Sequence, residues 1–306
     1  MVRGNEVVSR CLSLVPNNPE NPNTTIAGAI LIIFAFFNIL SNSLLIFALY
    51  KSKQLRTFSN KFILIMTVSD FCLGIFAQSV TGAFWISSRQ RNCLELKSFH
   101  FMVIFLGYIS VLMILLISVD RYLHVTKPIR YQTMMNNNRM TLLVVSCFIS
   151  GLIAATISVV WESFYRQLTI VIFNFMLMTV FLILNTRTLK TLERHHKNAV
   201  FRFQPGNRKE VLNFRTERLA AVKTIRLVLG LFLIGYTPYN ICSVFWAYHG
   251  FKRNSAAGVL LETTYIWSSV IAASISFLNS LIFMHGNTKC RRVVRSLFCK
   301  SSEAPE

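Results

Sequence analysis

Seven stretches of this chain run for about 20 residues or more with almost no charge, and no other feature limits its fold as strongly. They are 26–50, 62–88 (interrupted only by Asp70), 98–119, 140–161, 167–186, 227–251 and 263–288. Crossing about 30 Å of hydrocarbon at about 1.5 Å per residue takes about 20 apolar residues. None of the seven alternates with the period of two expected of a membrane barrel strand, and each is about twice a barrel strand's length. The predicted fold class is therefore an all-α membrane protein, a seven-transmembrane helix bundle at 26–288. Residues 1–25 form an N-terminal tail before it, and residues 289–306 a closing amphipathic segment. Composition agrees, with 53% hydrophobic and only 14% charged residues, where a soluble protein carries about 25% charge. Disorder, a disulfide-dense scaffold and a pair of soluble domains are excluded.

The net charge of +20, from 32 Lys and Arg against 12 Asp and Glu, would in a soluble protein point to nucleic acid. In a membrane protein it points to the cytosolic face and its anionic lipids, and no nucleic-acid partner is expected. With the N-terminus outside, 24 of the 32 basic residues fall in inner segments, 11 of them between Arg187 and Arg226. That bias predicts an outer N-terminus and an inner C-terminus. The first 25 residues lack the apolar core of a signal peptide, so the first span acts as its own insertion signal. Asn23-Thr24-Thr25 is a glycosylation sequon on the expected outer side.

Polar groups inside the spans are costly and mark sites. Asp70 is the acidic residue deep within a span, and must face the bundle interior. Asn42, Ser110, Ser276 and Asn279 lie at comparable depth in spans one, three and seven. Together with Asp70 they have the oxygen chemistry to hold water or a sodium ion, or they are simply packing residues. Asp120-Arg121-Tyr122 closes the third span, where an acid–arginine pair can also be plain interfacial anchoring. No nucleophile–base arrangement and no other metal cluster is visible, so neither enzyme activity nor a cofactor is expected.

Asp120-Arg121-Tyr122, followed by Pro128 and Tyr131, resembles the end of helix three and the second inner loop of rhodopsin-like (class A) G-protein-coupled receptors. Leu55-Arg56-Thr57 running into Ser69-Asp70-Phe71 is similar to their first inner loop and helix two. Asn42, Phe232, Tyr236, Pro238 and Asn279 follow in matching order. The resemblance implies a plasma-membrane, multi-pass receptor that couples an extracellular ligand to a heterotrimeric G protein. Asp120, Arg121, Tyr122 and Pro128 would form the coupling region, with Asp120 restraining Arg121 at rest, and Phe232, Tyr236 and Pro238 the activation switch. Departures matter as much. Ser280 and Phe283 stand where the family usually has a proline and a tyrosine, and Tyr236 replaces a pivoting tryptophan. A non-signalling decoy or partner protein is the alternative these losses raise. The short second outer loop has no cysteine, and span five has no proline. Both features are similar to melanocortin, cannabinoid and lysophospholipid receptors.

By the same resemblance, the ligand pocket falls to Val103, Gly107, Tyr108, Tyr239, Asn240, Tyr265 and Ser269. Val103 stands where amine receptors carry an aspartate, and Ala273 where opsins carry the retinal lysine, so neither amine nor retinal is expected. An uncharged small molecule, a lipid or a peptide suits the lining. Sorting the seven cysteines by compartment leaves Cys11 and Cys93 on the oxidising side as a disulfide candidate. Behind span seven, basic and apolar residues alternate at helical spacing and end at Cys299, a candidate for palmitoylation on an interfacial helix.

Overall fold

The computed structural model describes residues 22–52, 57–87, 92–160, 164–202, 227, 230–245 and 256–298. Everything regular among them is helical: α1 (Pro22–Lys51), α2 (Phe58–Ile86), α3 (Cys93–Thr126), the short α4 (Pro128–Met134), α5 (Asn137–Val160), α6 (Phe164–Arg202), α7 (230–245), α8 (Ala256–Gly286) and α9 (Thr288–Phe298). Six of these are long and apolar enough to cross a membrane. The seventh expected span is represented by α7, the described part of 227–251. In hydrocarbon each backbone N–H and C=O must be paired within the protein, which a helix does inside its own segment and a closed barrel does between strands.

The helices outrun the apolar stretches that predict them, because charged and polar residues join their ends. α1 begins at Pro22, so Asn23 sits half-buried in a first helical turn instead of in a free tail. α6 likewise continues to Arg202, beyond the expected end of its span at 186. Side chains set several boundaries. Thr57 caps α2 by accepting from the Asn60 N–H at 3.4 Å, and Pro128 opens α4, where a missing N–H costs nothing. Asn136 Oδ1 accepts from the Arg139 N–H at 2.8 Å to start α5. Asn287 starts α9 by accepting from the Cys290 N–H at 3.2 Å.

Two apolar clusters hold the bundle. One, at the Cys93 end, joins Ala27 and Leu31 of α1 to Phe84 and Trp85 of α2, Leu96 of α3 and Ile266 and Val270 of α8. The larger one runs toward the Arg121 end through Leu45, Phe62, Met66, Met113, Phe181, Phe232 and Phe283. Within α2, Leu73–Gln78 winds as a π-helix. Asp70 and Gln78, eight residues apart, would point about 80° apart in a regular helix. The wider winding closes much of that angle and aims both side chains inward.

Candidate functional site

A cavity of about 240 Å³ lies between α2, α3, α6, α7 and α8. All seven expected pocket residues line it: Val103, Gly107, Tyr108, Tyr239, Asn240, Tyr265 and Ser269. Phe232 and Tyr236 line it too, with their rings 4.8 Å apart, and Phe181 packs 5.2 Å behind Phe232. Pro238 is exposed and does not line it. Tyr239 and Tyr265 sit ring to ring at 5.8 Å, and Tyr108 stacks on Phe173 at 5.7 Å. The wall from α3 and α6 carries Val103, Ile104, Val111, Ile170 and Met178, together with the polar side chains of His100, Tyr108 and Asn174. Across it, α7 and α8 present Tyr239, Asn240, Tyr265, Ser269 and Ser276. None of the lining residues is Asp, Glu, Lys or Arg.

Below the cavity lies Asp70, fully buried. Ser110, Ser276 and Asn279 converge on its carboxylate, yet neither carboxylate oxygen has a direct hydrogen bond. Ser276 also lines the ligand cavity, so the two chambers share a wall. Asn42 does not join this group. Its amide donates to the Asn38 carbonyl at 2.9 Å and to Asn38 Oδ1 at 2.6 Å. Asn38 is the residue that reaches α2, donating to the Asp70 carbonyl at 2.8 Å and to Gln78 Oε1 at 3.2 Å. An amide one turn before Asn42 on the same helix face is the signal that sequence reading passed over.

At the other end of α3, Asp120 and Arg121 part company. Neighbours on a helix point about 100° apart, so Asp120 is buried while Arg121 is exposed. Asp120 still acts electrostatically on the neighbouring Arg121, and it takes a further contact: the Tyr131 hydroxyl of α4 donates to Asp120 Oδ1 at 2.7 Å. Burial, and then this bond to Asp120, holds the Tyr131 phenol above its ordinary range. Tyr122 is half-buried beside them. Two further amides link helices across the bundle and were not anticipated. Asn185 donates to Ser118 Oγ at 3.3 Å, and Asn174 to Asn240 Oδ1 at 3.2 Å. Each is an isolated amide in an apolar stretch, the pattern expected of interhelical contacts.

Cys93 is disulfide-bonded, whereas Cys72, Cys147, Cys242 and Cys290 are free thiols. Its expected partner, Cys11, lies outside the described residues, as does the acylation candidate Cys299. Cys290 on α9 is fully buried, and that burial pushes its thiol up and keeps it unreactive.

The described residues thus form a bundle with six helices apolar enough to cross a membrane, a central cavity, a buried carboxylate beneath it and an exposed arginine at one end. A family model for the 7 transmembrane receptor (rhodopsin family) matches residues 41–167. The histamine H2 receptor of Cavia porcellus is 22% identical over 295 residues, covering 89% of this chain and 79% of that protein. The alpha-1A adrenergic receptor of Oryzias latipes is 22% identical over an alignment of 339 positions, covering 94% of this chain and 70% of that protein. Melanopsin-B of Xenopus laevis is 30% identical over 107 residues, covering 34% of this chain and 20% of that protein. This chain is similar to the rhodopsin family of seven-transmembrane receptors, through that family model over residues 41–167 and through relatives that align along most of its length. It is a multi-pass plasma-membrane protein and a receptor, not an enzyme.

Proposed function

We propose that this receptor binds an uncharged ligand with a largely apolar body, lipid-like or peptidic, and transmits its binding to a heterotrimeric G protein around Arg121. The observation that carries the ligand class is a cavity with no Asp, Glu, Lys or Arg in its lining. Burying a charged ligand there would leave its charge unpaired, at a cost of several kcal/mol. Two relatives are named for amine ligands, but an amine needs a carboxylate partner, and Val103 stands at the matching place. Ala273, which lines the cavity, cannot bind retinal as a lysine would. An amphiphile would set its apolar part against α3 and α6 and its hydrogen-bonding groups toward α7 and α8.

Coupling would follow from a population shift that opens the Arg121 end of the bundle. Cells expressing the chain, with reporters for several G-protein classes and panels of neutral lipids, peptides and amines, provide the test. Arg121→Ala is expected to abolish the response while surface expression stays near wild type. A full response from that variant overturns the role of Arg121. Ligand binding without signalling through any reporter would favour the non-signalling reading instead, which the replacements at Ser280 and Phe283 support.

Asp70 with Ser110, Ser276 and Asn279 offers oxygen ligands suited to sodium, whose occupancy would favour the resting packing. A bound cation offsets the cost of an unpaired buried carboxylate. Sodium chloride is expected to raise the thermal midpoint of the purified receptor above that in choline chloride, and Asp70→Asn to remove the difference. Equal midpoints in the two salts for the wild-type protein would make Asp70 a packing residue.

A further inference from the structure

Three helices meet in a closed circuit of hydrogen bonds. It starts at Ser280 of α8, the position where proline is usual. Ser280 Oγ, whose proton is shared between the Phe277 carbonyl at 2.8 Å and Ser41 Oγ on α1 at 2.7 Å, links α8 to α1, and Ser41 passes the chain on by donating to the Asn38 carbonyl at 3.3 Å. Asn38 then donates to Gln78 Oε1 on α2 at 3.2 Å, and Gln78 Nε2 donates to the Ala273 carbonyl, back on α8, at 2.9 Å. The circuit leaves α8 at Ser280 and returns to it about two turns earlier. Ser41, Asn38, Gln78 and Ser280 are each at most 6% exposed, so water does not compete for these bonds.

Proline at 280 would supply no hydroxyl to Ser41 and would interrupt the helix. With serine there, α8 runs unbroken from Ala256 to Gly286. Gln78 reaches it because of the π-helical segment Leu73–Gln78. Single interhelical bonds of this kind are modest. In a ring, however, α8 cannot slide along α1 without also leaving α2, so the links break together. The other side of the bundle carries only isolated links among its described residues, such as Asn174 to Asn240 and Asn185 to Ser118.

We propose that this circuit locks α1, α2 and the 273–280 segment of α8 into one rigid body. Gln78 and Ser280 thereby act as positioning residues for Ser276 and Asn279, which lie between the two pins. The lock itself holds whether or not the proposed signalling and ligand class are correct.

Amide hydrogen exchange of the purified full-length receptor, read on peptides from 270–286, tests it. Ser41→Ala lies on α1 and Gln78→Leu on α2, so neither alters the sequence whose exchange is measured. Each is expected to speed exchange across 273–283 by about threefold or more, with α5 unchanged. Ser41→Thr keeps the hydroxyl and is expected to exchange as wild type. Unchanged α8 exchange in Ser41→Ala overturns the lock, and so does a rise of equal size in α5, which would mark general loosening. Should Gln78→Leu fail to fold, Ser41→Ala against Ser41→Thr decides alone.

Discussion

The α1–α2–α8 side and the α5–α6 side of the bundle solve the same problem by different means. Within the most apolar window of each helix, half of α2 and half of α8 is buried, against 17% of α5 and 28% of α6. On the first side, amides and hydroxyls bond across helices, and glycines bring backbones together. On the second, Leu142, Ile149, Leu152 and Ile153 of α5 and Ile172 and Met176 of α6 face outward, where lipid contacts them as well as another helix would. Apolar contact gives little preference for one helix over lipid, so association within the membrane rests on close packing and polar links. The α5–α6 side has fewer such links, Asn185 to Ser118 and Asn174 to Asn240 among them, and the ligand cavity sits where the two sides meet.

The sharpest way to break this contrast is at the glycine contact. A Cβ added at Gly82 would lie 2.6 Å from Ile32 Cγ1 and 2.7 Å from the Gly28 carbonyl oxygen. The backbone oxygen cannot retreat without moving α1. At Gly151 of α5 the nearest atom to an added Cβ would be the terminal Ile109 Cδ1, at 3.1 Å, with Phe105 Cδ2 and Ile109 Cγ1 at ordinary contact distances of 3.6 and 3.7 Å. Gly82→Val is expected to cost about 3 kcal/mol or more, read as a large fall in thermal midpoint or loss of surface receptor. Gly151→Ala is expected to stay within about 1 kcal/mol of wild type. Similar losses at the two sites would remove the distinction between a tight side and a loose one.

The same contrast decides what sequence alone can tell. Long apolar stretches follow from bilayer thickness, so the seven-helix fold could be read from them directly. Val103, Gly107 and Tyr108 follow from counting turns back along α3 from Arg121, and helical geometry carries such a count faithfully to the cavity wall. Asn42 failed because depth in the membrane does not say which neighbour an amide faces; a turn away, Asn38 took the contact with α2. Gln78 was out of reach for a different reason. Its aim depends on a π-helical segment that no residue pattern in Leu73–Gln78 announces. The Tyr131 bond to Asp120 went unread because Tyr131 lies on a separate short helix, 11 residues away in sequence.

Next in size is the disulfide at Cys93, at the end of the bundle where α1, α2, α3 and α8 meet. Losing it is expected to lower stability by about 2–4 kcal/mol. Cys93→Ser and Cys11→Ser should lower the thermal midpoint equally, and the double variant no further than either. Residues 12–21 separate Cys11 from α1, a reach of about 33 Å at about 3.3 Å each. A Cys11→Ser variant as stable as wild type would assign the bond a different partner.

The smallest expected change carries the opposite sign. Gly107 lies in the interior of α3 and lines the cavity, and a Cβ added there meets no atom within 4 Å. Glycine inside a helix costs about 1 kcal/mol relative to alanine, so Gly107→Ala is expected to raise stability by about 0.5–1 kcal/mol. A residue kept at that cost in the wall of a cavity is holding space open. The methyl group projects into that space, so bulky ligands should bind more weakly while small ones are unaffected. Thermal midpoint and ligand affinity, measured on the same preparation, should therefore move in opposite directions. At Gly82 even a methyl group lowers both, because the atoms it would strike are the scaffold itself. If Gly107→Ala lowers stability, the space beside it is part of the packing, and the cavity ends above that level of α3.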